Sequence, residues 1–521
     1  MAWNPSWSML RAVVPAAPGR PRVALGDVVA GVSVAAVLLP QSLAYAQLAG
    51  MPPERGLYAA ALPPLVAAFF ACSPYLQTGP VALTSLLTYG ALSSQATPGS
   101  NEYVRLGIVL ALIVGVVRIA LGVMRGGVVA YLLSEPVLIG FVPGAAIVIC
   151  ASQIPTALGA TTSGGGVVES AAKALSSPSG WDSSAIGLAV ATCAFVAICA
   201  RITRLFPAVL VAVSAAIAYS EITSYAGPTV GPISLSIEAP SLGVAGSALP
   251  ALVLSGAIIA LVGFAEPAAI ARTFATIERR DWDANRELVS QGAANVASSL
   301  SGGFPVGGSF SRSSLNRLAG AKTRASGAVT GITVLAFLPV ASVLSALPLA
   351  VLAAIVLVSV ASLVRMRPLV RMLRFSRWQA LVAWATFGAT IGFAPHVERA
   401  VVLGVGLAVV VHLTRELRID IDIDTTADGK TLRFRPRGVL WFASSKVLED
   451  AFGQALARHP SITHVEIDLG GLGRMDITGA MAIRRMIQDA RRASLDVQLE
   501  DVPPRAHRWI ATLIGHGDEP F

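Results

Sequence analysis

Two stretches of this chain have an unusual make-up for their apolar surroundings. One is Gln77-Thr78-Gly79-Pro80-Val81-Ala82, continuing through Thr84, Ser85 and Thr88. The other is Phe304-Pro305-Val306-Gly307-Gly308 followed by Ser309-Phe310-Ser311-Arg312-Ser313-Ser314. Each is short and polar and opens on a Gly/Pro breaker, after which a helix can start. A helix start leaves N–H groups without intrahelical partners and carries roughly half a positive charge. Two such starts facing one cavity can hold a small anion, without any permanent charge. The contacts would come from the backbone around Gly79, Pro80, Val81 and Ala82 and from Ser309, Phe310 and Ser311. Glycine and serine also let helices pack closely with no ligand at all. The occurrence of a matched pair favours the site.

Glu266 is the other residue with chemical potential. It lies deep in the apolar run Leu261-Val262-Gly263-Phe264-Ala265-Glu266-Pro267-Ala268, where a charged side chain costs at least about 3 kcal/mol. Such an acid can take up a proton and move it with a substrate, or it can neutralise Arg312. Arg118 also falls in an apolar run, but within two turns of its inner end, where snorkelling to the interface is the expected behaviour. Other chemistries find no support. Of six histidines only His396 and His412 fall near apolar runs, and neither has a neighbour at metal-ligand spacing. Cys72, Cys150, Cys193 and Cys199 sit in apolar runs without metal-type spacing and read as packing residues. Asp420-Ile421-Asp422-Ile423-Asp424 has the acids of a calcium loop, but Thr425 stands where Gly is needed and Thr431 where Glu is needed. It reads instead as a solvated edge strand or linker. No Walker A loop is present to power transport with ATP, and Gly307-Gly308-Ser309 follows no strand that would make it a nucleophile elbow. No cofactor or metal is expected, nor an enzymatic activity.

The elements that must position these residues are set by composition. The chain has 521 residues, of which 54% are hydrophobic and 13% charged, with mean hydropathy +0.68. Soluble domains carry about 25% charged residues, so lipid must be the solvent for most of this surface. The net charge of +9 does not point to nucleic acid, because the basic residues occupy short loops between apolar runs. About fourteen apolar segments are long enough to cross or enter a bilayer. They lie near 25–45, 56–72, 80–95, 105–124, 129–153, 184–201, 206–219, 249–276, 287–302, 308–320, 325–346, 348–364, 377–394 and 398–415. Arg11, Arg20 and Arg22 precede the first, and alternate loops then carry Arg125, Arg201 with Arg204, Arg279 with Arg280 and Arg286, Lys322 with Arg324, and Arg365 with Arg367, Arg371 and Arg374. The long loops 154–183 and 220–248 carry Lys173 as their only basic residue. This bias places both ends in the cytoplasm of a multi-pass inner (plasma) membrane protein without a cleaved signal peptide. The two breaker-opened segments are each third in a set of seven. That predicts two inverted repeats whose broken helices meet at mid-membrane.

Several motifs resemble the sulfate permease (SulP) family. Asp27-Val28-Val29-Ala30-Gly31, Leu39-Pro40-Gln41-Ser42-Leu43-Ala44-Tyr45-Ala46, Ala49-Gly50-Met51-Pro52-Pro53 and Gly56-Leu57-Tyr58 are similar to its signature. Gln291-Gly292-Ala293-Ala294-Asn295 and the stretch Phe304 to Ser313 match a second one. The resemblance spans nearly the whole chain. It implies fourteen segments in two inverted repeats, divided into a core that carries substrate and a gate, and a homodimer. Substrates would be sulfate, bicarbonate, halides or dicarboxylates. It also implies Gln41 and Ser309 as polar contacts between the third and tenth segments, Arg312 as a nearby source of positive potential, and Glu266 as the proton-coupling group. Pro267 departs from the family pattern, which would have a small polar residue there, and is expected to kink the helix.

After residue 415 the composition changes. Thr431–Pro436 and Val439–Phe442 read as strands, 445–458 as a helix, His464–Leu469 as a strand, 477–493 as a helix and Val497–Glu500 as a strand. The run His464 to Leu469 with Met475-Asp476-Ile477-Thr478-Gly479 resembles the STAS domain of sulfate transporters and anti-sigma-factor antagonists. In the antagonists a Ser or Thr matching Thr478 can be phosphorylated, which makes Thr478 a candidate regulatory position; helix capping by Asp476 or Thr478 is the plainer role. The expected organisation is a cytoplasmic segment 1–24, a transmembrane anion-transport domain 25–415, a linker 416–430 and a STAS domain 431–521. The expected function is secondary active transport of a small anion, sulfate first, by proton symport in an elevator-like alternating-access cycle. Sodium-coupled bicarbonate transport and uncoupled exchange or conductance are the alternatives.

Overall fold

The computed structural model describes residues 23–131, 134–161, 166–202, 206–233, 248–416 and 419–503. Arg11, Arg20, Arg22 and Arg204, and residues 234–247 of the second long loop, lie outside the described residues. The chain forms two compact units divided between Gly406 and Leu407.

In the first unit, helices α1 (Leu25–Leu48) and α2 (Pro53–Phe70) lead to a two-residue strand β1 (Thr78–Gly79). There follow α3 (Ala82–Leu92), α4 (Asn101–Val123), α5 (Glu135–Ala157), α6 (Val167–Ser176), α7 (Ser183–Ile202) and α8 (Ala208–Thr223). The second half repeats the order with α9 (Leu249–Ile277), α10 (Ala284–Leu300), the strand β2 (Gly307–Gly308), α11 (Phe310–Leu318), α12 (Ala325–Phe337), α13 (Leu349–Ala361), α14 (Met366–Phe375), α15 (Arg377–Gly392) and α16 (Val397–Glu416). A helix stands at each of the fourteen apolar segments. Eight helical stretches among the described residues are long and apolar enough to cross a membrane, including Leu25–Leu48, Asn101–Val123, Glu135–Ala157 and Leu249–Ile277. Helices α6 and α14 lie in connections where the apolar pattern predicts none. Pro267 lies inside α9, which continues through it from Leu249 to Ile277.

The packing is reciprocal between the halves. α4 lies against α10 and α2 against α12; α5 lies against α15 and α7 against α13. Each of these contacts recurs with the two roles exchanged, as a two-fold relation between repeats requires. It also sorts the helices. α1 to α4 pack mainly with one another and with α9 to α12, and α5 and α7 mainly with α13 and α15, which sorts these helices into two groups. Glycines allow the closest crossings. A Cβ at Gly115 of α4 would lie 2.9 Å from the Gly292 carbonyl oxygen of α10, and one at Gly292 would lie 2.8 Å from that of Gly115. Here the backbones touch, and van der Waals contact does the work that hydrophobic exclusion does in water. Helix α10 is polar for a buried helix, with Ser290, Gln291, Asn295, Ser298 and Ser299 all inaccessible. Those groups find partners in the loops of the site.

Among the described residues, the second unit has a five-stranded sheet and two helices packed with it. β3 (Asp420–Thr425) pairs antiparallel with β4 (Thr431–Leu440); β4 pairs parallel with β5 (His464–Asp468), and β5 with β7 (Asp496–Glu500). A short β6 (Leu472–Met475), absent from the sequence reading, pairs with the far half of β4. The acidic triplet is edge strand β3. Its register puts Asp422 opposite Arg435, Asp424 opposite Arg433 and Asp420 opposite Arg437. Arg435 forms ion pairs with Asp422 and Asp424. Alternation in β4 turns these arginines to one face and Leu432, Phe434 and Leu440 to the other, where Phe434 meets Phe452 of α17 (Phe442–Arg458) with ring centroids 5.2 Å apart. Helix α18 (Ile477–Arg492) buries Gly479, Ile483, Met486, Ile487 and Ala490 at helical spacing.

Candidate anion-binding site

β1 and β2 bring the two broken helices together. They pair antiparallel with Thr78 opposite Gly308 and Gly79 opposite Gly307. Two further bonds tie the crossing: the Ser309 N–H donates to the Gln77 carbonyl at 3.0 Å, and the Gln77 N–H donates to Ser313 Oγ at 2.9 Å. Immediately beyond the crossing, α3 starts at Ala82 and α11 at Phe310. The two starts, predicted from the breakers alone, therefore leave one small sheet. Helix α3 is preceded by Val81 and has no side-chain cap, so its first amides keep their donors. Helix α11 is capped by Ser309, whose Oγ accepts from the Arg312 N–H at 3.5 Å and lies 3.2 Å from Ser311 Oγ. Val81, Ala82 and Ser309 are buried, whereas Phe310 and Ser311 are exposed. A Cβ on Gly79 would stand 3.4 Å from Leu38 Cδ1 and 3.6 Å from Arg312 Nη2, which places Gly79 against α1 and Arg312.

Arg312 links the parts. It is 1% exposed. Its Nη2 donates to the Pro80 carbonyl at 2.8 Å and its Nη1 to Gln41 Oε1 at 3.3 Å. A guanidinium has only donors, so the bond to Gln41 fixes which end of that amide faces it. The Gln41 NH₂ is thereby turned away from Arg312 and donates to Ser359 Oγ of α13 at 3.4 Å. Arg312 thus acts as fixed charge and as a positioning group, with two of its nitrogens already engaged by protein.

Glu266 of α9 reaches the same place. Its Oε1 accepts from the Phe310 N–H at 3.4 Å, at the first residue of α11. Among the described residues it makes no ion pair with Arg312, and it is half-buried. The carboxylate therefore sits on one of the amides that an anion at this helix start would use. Tyr45, one helical turn after Gln41, is buried among Ser359, Arg312 and Glu266. Sequence reasoning gave it no role; its spacing of four from Gln41 on one helix face was the available signal.

A supporting layer holds the crossing in place, and sequence reasoning gave its members no role either. On α10, Gln291 Nε2 donates to Thr78 Oγ1 at 2.8 Å. One turn later Asn295 grips the other strand: Oδ1 accepts from the Val306 N–H at 2.9 Å and Nδ2 donates to the Val306 carbonyl at 3.1 Å. The motif Gln291-Gly292-Ala293-Ala294-Asn295 thus carries two amides at i and i+4, one for each half of the sheet. Arg118 corrects the expectation of snorkelling. It is 0% exposed and donates to the carbonyls of Ala260 at 3.1 Å, Val306 at 3.1 Å and Ile259 at 3.3 Å. Carbonyl oxygens converging from α9 and the β2 loop satisfy the guanidinium internally, which proximity to a helix end in sequence could not reveal. Glu287, at the start of α10, is likewise 0% exposed and accepts from the N–H groups of Cys72 and Ser73 at 3.2 and 3.1 Å, tethering the approach to β1. Thr478 is not part of this group. It lies in the second unit, half-buried in the first turn of α18, whose cap is Asp476 Oδ1 accepting from the Gly479 N–H at 2.7 Å.

Membrane-length helices in two interlocked repeats, with paired broken helices at a polar centre, are the plan of a membrane carrier. The sequence matches the sulfate permease family over residues 25–386 and the Mlab, STAS domain over residues 423–515. This chain belongs to the sulfate permease family and has a STAS domain at its C-terminal side. It is 33% identical over 372 residues to a probable sulfate transporter of Mycobacterium tuberculosis, covering 70% of this chain and 66% of that one. It is 28% identical over 528 residues to high affinity sulfate transporter 2 of Stylosanthes hamata, covering 92% and 79%. The fold is similar to that of the murine Solute Carrier 26 family member A9 anion transporter in the inward-facing state. There the TM-score is 0.87 at 19% identity, covering 98% of this chain and 92% of that one.

Proposed function

We propose that the chain is a secondary active transporter of the inner (plasma) membrane that carries sulfate by proton symport, working as a homodimer with both termini in the cytoplasm. The anion sits between the starts of α3 and α11, with Gln41, the backbone at Gly79, Pro80, Val81 and Ala82, and Ser309, Phe310 and Ser311 as its contacts. The observation that carries this reading is the Glu266 carboxylate on the Phe310 N–H. While ionised, it is a tethered anion at the helix start and competes with substrate; once protonated, it releases that amide and its charge. The two helix starts contribute about one positive charge together. With Arg312 and an ionised Glu266 the site carries about one net positive charge, and with Glu266 protonated about two, which balances a divalent anion. Relatives named as sulfate transporters support the choice of anion. The sorting of the helices into two groups supports an elevator-like movement of one group against the other, with the Gln41–Ser359 bond as a contact that must break.

Flux into proteoliposomes tests this. Sulfate uptake should accelerate as outside pH falls, and Glu266→Gln should lose proton-driven accumulation while keeping sulfate exchange. A competition panel of bicarbonate, halide and dicarboxylate should leave sulfate the strongest competitor. Uptake that is flat with pH and strictly dependent on sodium would replace this reading with sodium-coupled bicarbonate-type transport. Conductance without accumulation would make the protein a channel.

A further inference from the structure

Helix α14 has a composition unlike its neighbours. Five arginines (Arg365, Arg367, Arg371, Arg374 and Arg377) fall in or beside it, and the sequence has no aspartate or glutamate between Glu287 and Glu398. Arg367, Arg371, Arg374 and Arg377 are exposed and form no ion pair among the described residues. At helical spacing, Met366, Leu369, Met372 and Leu373 share one face while Arg367, Arg371 and Arg374 share the opposite one. Only part of the apolar face is covered. Leu369 is 0% exposed against the neighbouring helices α5 and α15, but Leu373 is 56% and Val370 50% exposed; Trp378, at the start of α15, is 54% exposed.

The position of this helix is fixed from both ends. α13 stops at Ala361, a few residues upstream, and Ser376, directly after α14, caps α15. A short helix strung between two membrane helices that end and begin within a few residues of it must lie at the level where both leave the bilayer. A row of exposed apolar side chains beside unpaired arginines fits only one boundary: acyl chains below, anionic headgroups above. Trp378 at its end matches the interfacial preference of that ring.

We propose that α14 is an interfacial helix that lies in the membrane surface and binds anionic phospholipid headgroups through Arg367, Arg371 and Arg374, with Val370 and Leu373 in the acyl layer. It packs on α5 and α15, so it ties that group of helices to the leaflet while the other group moves. The inference rests on the membrane reading of the fold and is independent of which anion is carried. Each arginine near an anionic surface is worth about a fivefold preference.

The test uses the full chain in nanodiscs of phosphatidylcholine, alone or mixed with phosphatidylglycerol, with the four native cysteines replaced. Nitroxides are placed by Leu373→Cys and, separately, Arg371→Cys. The label at 373 should be accessible to oxygen and shielded from a water-soluble nickel chelate, and the label at 371 should show the reverse. Phosphatidylglycerol should slow the label at 371, and Arg367→Gln with Arg374→Gln should abolish that slowing while an unchanged thermal unfolding transition confirms a folded protein. Nickel access at 373 would put the helix in water. Shielding of 373 from both reagents would mean that protein covers it. Either result, or equal mobility at 371 in the two lipids, overturns the proposal.

Discussion

Asn295→Ala should loosen the crossing on which the site is built. Val306 is 0% exposed, and Asn295 supplies the partner of its N–H at 2.9 Å and one partner of its carbonyl at 3.1 Å. The alanine leaves the N–H buried without an acceptor, at a cost of about 1–3 kcal/mol. The carbonyl is not orphaned, because Arg118 Nη1 still donates to it at 3.1 Å. The expected loss is therefore that of one group and not of two. Relief of the strain by movement of β2 would shift Ser309 and the start of α11. At about 1.4 kcal/mol per tenfold in rate, uptake should fall about 5- to 100-fold. The companion variant Gln291→Ala removes the donor to Thr78 Oγ1. A hydroxyl can rotate to another partner, so its cost should be nearer 1 kcal/mol. The assays are thermal unfolding in detergent and initial sulfate uptake in proteoliposomes. An Asn295→Ala protein with wild-type melting and uptake, or a larger loss in Gln291→Ala, would refute the accounting.

Ser309→Leu should abolish substrate binding measured by calorimetry in a protein that still unfolds cooperatively, because Ser309 is one of the proposed contacts and its cap bond to Arg312 is long, 3.5 Å. Retained affinity would move the site elsewhere. Arg118→Met should destabilise the first unit by about 1–3 kcal/mol, since three charge-assisted bonds to the carbonyls of Ala260, Val306 and Ile259 are lost, while the Val306 carbonyl keeps Asn295 as a donor. A neutral effect on thermal unfolding would show that water or main-chain donors replace it. Truncation after Glu416, which removes the whole five-stranded sheet, should leave the order of anion preference unchanged in a competition assay, because no proposed substrate contact comes from that unit. A changed order would count against it.

The membrane class, the places of the fourteen segments and the two broken helices were legible in the sequence because each depends on local composition. Lipid demands long apolar runs, and Gly79-Pro80 or Pro305 with Gly307-Gly308 stops a helix wherever it occurs. The same holds for the alternation that marked β4 and β5 and for Asp476 as a cap. Relations across the chain were not legible. Arg118 looks like a snorkelling residue until three carbonyls from α9 and the β2 loop are seen to converge on it. Gln291 and Asn295 read as a motif without a task until β1 and β2 pair beneath them. Glu266 and Arg312 offer opposite charges in sequence, yet packing sends the carboxylate to the Phe310 amide and the guanidinium to Gln41 and Pro80. Hydrogen bonds are satisfied by whatever group the fold brings within about 3 Å, and pairs such as Arg118 with Val306 or Gln41 with Arg312 reach that distance only through the interlocking of the two repeats.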